Sequence, residues 1–197
     1  MSRAARLPGH PLGRVSGDRA EEAVITDLAM LLDRLAELGS LPAIAALVSP
    51  AGPDHWPGFA SRVRDVLYPL MSARGRQRAD AELAAVTAAT AAGGALVHTD
   101  LGGANLLWAT AAGVPRLAGV LDWDHARIGD QASDLASIAA TIGWPLAQRI
   151  DARRHRSTGR MLADAKIIAG TFALQQALPA ALSGDQADLD EGLRQYR

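Results

Sequence analysis

The chain has 197 residues, 49% hydrophobic and 21% charged, with 20 Lys+Arg against 21 Asp+Glu. This even balance argues against a nucleic-acid backbone or an anionic membrane as the main partner, and the composition excludes general disorder. With no cysteine there can be no disulfide framework, thiolate zinc site or Cys nucleophile.

The length suits one sizeable core, or at most two small ones. There is no uninterrupted apolar run of about 18 residues, and Met1 to Val15 carries no signal-like apolar core, so a cytoplasmic protein is expected. Residues 1–17, with Pro8, Gly9, Pro11, Gly13 and Gly17, read as an extended or turning segment. Asp18 with Glu21 forms a capping pair, and Val24, Leu28, Leu31, Leu35 and Leu38 then recur at helical spacing up to Gly39.

Residues 40–58 contain four prolines and predict a loop around a short helical piece near Ala43 to Val48. Phe59 to Leu70 and Arg78 to Ala92 predict two further helices, stopped by Gly93 and Gly94. Short β-rich runs follow at Ala95 to Val97, Asn105 to Ala109 and Arg116 to Leu121, with Gly113 placed to turn an antiparallel hairpin. From Asp130, as N-cap, the helical period returns through Leu135, Ile138, Ala139 and Ile142 until Gly143 and Pro145. Helices over Ser157 to Leu178 and Asp185 to Gln195 complete an α+β chain that is mostly helical. Arg149 to Arg160 reads as a solvated basic run. No Gly-rich turn joins a strand to a helix, so dinucleotide and Walker-type phosphate sites are not expected.

Polar residues gather in the β insert. His98, Asp100 and Asn105 follow the first short strand in an H-x-D-x-x-x-x-N spacing, and Asp122 ends the third. If the last two strands pair about Gly113, Asn105 meets Leu121 and Asp122 at one end of the hairpin. That end offers an amide oxygen and a carboxylate to a hard divalent cation, with Asp100 a few residues upstream as a candidate base. Such parts serve phosphoryl transfer, which needs a carboxylate to orient an acceptor hydroxyl and metal to neutralise the transferred group. A metal-dependent phosphohydrolase using His98, Asp100 and Asp122 is the alternative chemistry.

The run His98-Thr99-Asp100-Leu101 with Asn105, then Leu121-Asp122-Trp123, then Gly129-Asp130 with Asp134-Leu135-Ala136, resembles the aminoglycoside phosphotransferase and choline kinase family. The resemblance implies a protein-kinase-like fold in which residues 18–197 form the C-terminal lobe, with the catalytic loop carried on the hairpin. It implies ATP-dependent transfer to a small-molecule hydroxyl with Mg²⁺. It gives Asp100 as catalytic base, Asn105 and Asp122 as magnesium ligands, and His98 as a structural member of the loop. Asp130 and Asp134 would brace that loop.

By the same resemblance, residues 1–17 fall just past the nucleotide-binding hinge. A preceding lobe, with a strand Lys that holds the α and β phosphates, has no counterpart in this sequence, whose only lysine is Lys166. A truncated enzyme with weak or no standalone activity is therefore expected, with a noncatalytic binding module as the alternative. Apolar surface near Val97 to Trp108, left open for self-association, is expected as well. Asp124 and His125 read as surface loop residues.

Overall fold

The computed structural model describes residues 8–13, 15–48, 55–89, 93–155 and 159–197. In chain order these form β1 (His10–Pro11), α1 (Asp18–Gly39), α2 (Pro42–Ala45), α3 (His55–Val66), a 3-10 turn (Tyr68–Leu70), α4 (Ala73–Ala88), β2 (Ala95–Val97), β3 (Leu106–Ala111), β4 (Val114–Val120), β5 (Arg127–Gly129), α5 (Ala132–Ile142), α6 (Trp144–Arg153), α7 (Met161–Gly170), α8 (Phe172–Ser183) and α9 (Gln186–Leu193). The chain divides into two compact units, Met1–Pro50 with Ala92–Ala165, and Ala51–Ala91 with Lys166–Arg197. The architecture is the mostly helical α+β fold that the sequence predicts, with two small antiparallel sheets in place of the single expected hairpin.

In the first unit, α1 buries Val24, Ile25, Leu28, Leu32 and Leu35 along one face. Each such fully buried aliphatic side chain stabilises the fold by roughly 1.5–3 kcal/mol. Asp18 is the first helical residue rather than a cap: Gly17 takes the cap position at φ +91°, and no side chain caps the helix. Asp18 and Glu21 sit instead in the first turn, where the helix dipole favours negative charge. Gly39 closes α1 for a reason that periodicity cannot reveal. A Cβ there would run into the backbone of Ala95 and Leu96, so the glycine lets α1 approach β2.

Two small sheets follow, with strand orders β1-β3-β4 and β2-β5. The hairpin β3–β4 turns at Ala112 (φ +50°) and Gly113 (φ +78°), the two positive-φ positions that a tight hairpin turn requires. Its register runs Leu106↔Val120 and Leu107↔Gly119, then slips by one at a bulge to Trp108↔Leu117. The pairing is antiparallel about Gly113, as the sequence predicts.

Two strands escape prediction because each is too short to show alternation. His10 and Pro11 pair with Trp108 and Leu107, inside the segment read as extended, and Arg127–Gly129 pairs with Ala95–Val97 across a long connection. Val97, Leu101, Leu106, Leu107 and Trp108 are all buried, so the apolar surface expected between Val97 and Trp108 is not open. Strand β1 covers part of that surface, and β5 covers the edge of β2.

Helix α5 ends at Ile142 before Gly143, as expected, and Pro145 opens a new helix. The proline sits in the first turn of α6, where a missing N–H costs nothing. This helix changes the reading of the basic run. Arg149 bonds Glu21 and Glu22 on α1, and Arg153 bonds Glu22 and Thr26. Arg154 is buried, with its guanidinium on Gln131 Oε1 and Asp33 Oδ1. The Arg149 to Arg160 run is thus partly a clamp on α1.

The second unit is built around Phe59, Val63, Leu67, Leu83, Leu174, Leu178, Leu193 and Tyr196. Helix α3 starts four residues before the expected Phe59, since Pro57 is tolerated in a first turn. It stops at Val66, and the 3-10 turn takes up Tyr68–Leu70. Helix α4 starts five residues before Arg78 because Ser72 is its N-cap, accepting the Gly75 N–H at 3.0 Å. It ends at Ala88, and residues 90–92 of the expected helix lie outside the described residues.

The single helix expected from Ser157 to Leu178 is two, α7 and α8, separated at Thr171, whose hydroxyl donates to the Ile168 carbonyl at 2.7 Å. Ser157 itself lies outside the described residues. Asp185 caps α9 through the Asp188 N–H, at the expected boundary.

Candidate active site

The loop between β2 and β3 carries His98, Asp100 and Asn105. Its entry is fixed from α5. The Asp134 carboxylate accepts the His98 N–H at 3.1 Å on both oxygens and the Thr99 N–H at 2.8 Å. Thr99 has φ +74°, a conformation that costs a β-branched residue on the order of 1–3 kcal/mol and persists only when its surroundings impose it. Asp134 is fully buried, and burial raises its carboxyl to about 6, with the Thr99 and His98 amides pulling it down. Asp130 accepts the Ala132 N–H at 3.0 Å and so caps the first helical residue of α5 from two positions upstream, across Gln131. Burial raises its carboxyl also.

His98 is wholly enclosed. Its Nε2 lies 2.7 Å from the Leu121 carbonyl oxygen, which can only accept, so Nε2 carries the proton. Its Nδ1 accepts the Asp100 N–H at 3.3 Å. One ring thereby ties the loop to the end of β4. The same ring packs edge-on against Trp123, with centroids 4.8 Å apart.

Asp100 is exposed, and Asn105 turns its amide nitrogen to it: Nδ2 donates to the Asp100 backbone oxygen at 2.9 Å and to Oδ2 at 3.0 Å. With Nδ2 so committed, Oδ1 is the atom of this amide left for a cation. The Leu121 N–H donates to the Asn105 carbonyl at 2.9 Å, which brings Asn105 beside Leu121 as the hairpin pairing predicts. Asp122 follows immediately, exposed, with φ +61°. Strained residues thus flank the site on both sides.

Among the described residues no group of three or more His, Asp or Glu side chains converges as a metal site. One carboxylate and one amide oxygen nevertheless fit magnesium, which binds through one or two protein oxygens and keeps waters or substrate phosphates for the rest. Next to Asp122 lies a polar cavity of 420 Å³ lined by Leu47, Val48, Trp123, Asp124, His125, Ala126 and Arg127. Asp124 and His125 are exposed, as expected, but on the wall of this recess.

Two contacts escape sequence reasoning. Thr141 on α5 accepts the Gly103 N–H at 2.9 Å, and Ser137 reaches the Thr99 carbonyl at 3.5 Å. The signal that could have found them is Asp134, Ser137 and Thr141 at i, i+3 and i+7, one face of a helix otherwise rich in apolar residues.

A buried aspartate on a helix, a strained loop presenting an Asp–Asn pair and a second Asp at a hairpin end thus lie together in the first unit. The chain belongs to the phosphotransferase enzyme family, which it matches over residues 2–183. It is 44% identical over 195 residues to viomycin phosphotransferase of Streptomyces vinaceus, covering 98% of this chain and 68% of that protein. Among solved structures it resembles the GDP complex of aminoglycoside 2'-phosphotransferase-IIIa, with a TM-score of 0.81 at 20% identity over 96% of this chain and 66% of the other. It also resembles macrolide 2'-phosphotransferase type I, with a TM-score of 0.68 at 18% identity over 98% and 67%. The chain therefore spans about two thirds of the length of these relatives. No helix among the described residues is long and apolar enough to cross a membrane.

Proposed function

We propose that the chain carries the acceptor-activating and metal-binding parts of a nucleotide-dependent O-phosphotransferase acting on a hydroxyl of a small molecule. Residues 1–17 then serve as the hinge-side segment and residues 18–197 as the C-terminal lobe. The observation that supports this reading best is the double contact from Asn105 Nδ2 to the backbone and carboxylate of Asp100. It orients the Asp100 carboxylate, and it leaves Asn105 Oδ1 and Asp122 for Mg²⁺.

In this reading Asp100 accepts the proton of the acceptor hydroxyl as that oxygen attacks the terminal phosphorus of the nucleotide. Asn105 and Asp122 hold the metal, which when bound neutralises charge on the transferred phosphoryl group. His98 keeps the loop against β4 through Leu121, while Asp130 and Asp134 brace it from α5. A phosphohydrolase reading leaves the Asn105–Asp100 contact without a task. A noncatalytic binding module is favoured by one feature: the only lysine, Lys166, lies on α7, so no lysine near β2 or β3 in sequence can clamp nucleotide phosphates.

The test uses the chain with Mg²⁺ and either ATP or GTP, and viomycin, an aminoglycoside and a macrolide as acceptors, the compounds named for its relatives. Phosphorylated acceptor, abolished by Asp100→Ala, is the expected result. No binding of Mg-nucleotide at millimolar concentration by calorimetry defeats the enzyme reading for this chain and leaves the binding module. Phosphate release from a simple phosphomonoester without acceptor would support the hydrolase instead.

A further inference from the structure

The Asp100–Asn105 loop is held at its entry by Asp134, but that anchor reaches only His98 and Thr99. Between Thr99 and β3 the chain passes through Gly102 and Gly103, two residues with no side chain to fix their course. Leu101 plugs into the interior and is fully buried. Beyond it, before Asn105, the loop is tied from outside through Gly103, whose N–H donates to Thr141 Oγ1 at 2.9 Å. The Thr141 hydroxyl hydrogen is directed to the Ser137 carbonyl, 3.3 Å away in the preceding turn of α5, so its oxygen is presented as an acceptor to the loop.

The fit is steric as well as polar. A Cβ on Gly103 would lie 2.9 Å from Thr141 Cγ2 and 3.6 Å from its Oγ1, so the loop packs directly on this side chain. Gly102 lies between the two, with its would-be Cβ 3.6 Å from Asp100 Oδ1 and 3.7 Å from Thr141 Oγ1. Thr141 therefore sits one residue's width from the Asp100 carboxylate without touching it.

We infer that Thr141 is a positioning residue: it is the second anchor of the loop and sets the geometry of the Asp100–Asn105 pair. Asp134 and Thr141, two turns apart on one face of α5, fix the loop at two points, and the Asn105 amide closes the span between them. The inference concerns the site assigned above and rests on the phosphotransfer reading for its catalytic consequence, but its structural readout does not.

Asn105 is the only asparagine in the chain, so protein labelled with ¹⁵N at asparagine alone shows one side-chain amide. In the full chain, Thr141→Val removes both hydroxyl contacts at nearly constant volume. The expected result is loss of the wild-type Asn105 amide shift and solvent exchange of that amide faster by roughly ten-fold, with the unfolding midpoint unchanged because Thr141 is exposed. Thr141→Ser keeps the wild-type spectrum. Gly103→Ala disturbs it through the clash with Cγ2, and the pair Gly103→Ala/Thr141→Ser, which deletes that methyl, restores it in large part. Where the chain transfers phosphate, Thr141→Val lowers kcat about ten-fold with nucleotide KM unchanged, since the lost contact acts on the base and not on nucleotide binding.

An unchanged Asn105 amide in Thr141→Val, or a Gly103→Ala defect that Thr141→Ser does not relieve, overturns the assignment. Absence of transfer by every variant and by the wild type defeats the phosphotransfer reading instead, and the amide readout still decides the role of Thr141.

Discussion

Asp134 and Thr99 are joined by a 2.8 Å bond from the Thr99 N–H to a carboxylate that is itself fully buried. The bond sets two demands on Asp134 that pull in opposite directions. Burial favours the protonated acid, whereas the His98 and Thr99 amides require both oxygens as acceptors.

The first prediction concerns pH. Burial raises the Asp134 carboxyl to about 6, above the value near 3.9 of an unfolded aspartate. Folding then takes up a proton between about pH 4 and pH 6. This group's contribution to stability is fully present below pH 4 and is lost as pH rises through 6, by on the order of 3 kcal/mol. In denaturant titrations from pH 4 to 7, the stability of wild type minus that of Asp134→Asn should fall across this window. A difference that stays flat defeats the assignment. Over the same range the loop should loosen as pH falls, because a protonated carboxyl has an oxygen that donates where an amide N–H also donates.

How much of this was open to sequence reading depends on range. His98, Asp100, Asn105 and Asp122 stand in a fixed local spacing, and a hairpin about Gly113 follows from one glycine between two β-rich runs. Both therefore survive translation into three dimensions. Helix α1 is legible for the same reason, since its periodic face depends on nothing outside it. Contacts made across the sequence are not legible. Strands β1 and β5 exist because Trp108 and Leu96 lie opposite them. Gly39 reads as a stop signal, yet it is needed for the close passage of β2. Arg154 reads as one of several surface cations and proves buried, because Gln131 and Asp33 happen to meet it there. Thr141 shares a polar face of α5 with Asp134 and Ser137, but that spacing names no partner; Gly103, in a distant part of the chain, gives it a role.

A second prediction addresses the join between α1 and β4. Asp27, only 8% exposed, accepts the Arg116 guanidinium in a two-pronged contact at 2.8 Å on each oxygen, and also takes the Leu117 N–H at 2.8 Å. Asp27→Ala leaves that backbone N–H and the guanidinium without their acceptor, and should destabilise the chain by about 2–4 kcal/mol. Arg116→Ala removes a half-exposed partner and leaves Asp27 bonded to Leu117. Thermal unfolding should therefore rank the Arg116 variant well above the Asp27 variant. The reverse order would show that the ion pair, rather than the backbone anchor, is the essential contact.

A third prediction tests the close passage of α1 and β2. Alanine is the better helix former, so on propensity alone Gly39→Ala would add up to about 1 kcal/mol. The added methyl meets the backbone of Ala95 and Leu96, which cannot turn aside as a flexible side chain could. The measured sign should be destabilising, by more than about 1 kcal/mol. An unchanged or raised unfolding midpoint would mean that β2 can move away from the helix at little cost.

The last prediction concerns the second unit, where the end of the chain folds back on the start of α4. The Tyr196 carbonyl accepts the Ser72 N–H at 2.9 Å and the Ser72 hydroxyl at 3.2 Å, while its ring is fully buried among Val63, Leu83 and Leu193. Its hydroxyl donates to Glu82, and the Arg78 guanidinium lies over the ring at 5.3 Å. Burial raises the phenol above its usual range, with Glu82 adding to the shift, so the group stays protonated through neutral pH. Tyr196→Phe removes only the hydroxyl bond and should cost about 1 kcal/mol. Tyr196→Ala empties a core position and should cost about 3–5 kcal/mol. Gly75→Ala drives a methyl into the Tyr196 backbone and should cost most of the same docking without touching the ring. Combining Gly75→Ala with Tyr196→Ala separates docking from packing: if both act by releasing the same segment, the double variant is little worse than Tyr196→Ala alone. Full additivity of the two losses would show that Ser72 and the Tyr196 ring hold the chain end independently.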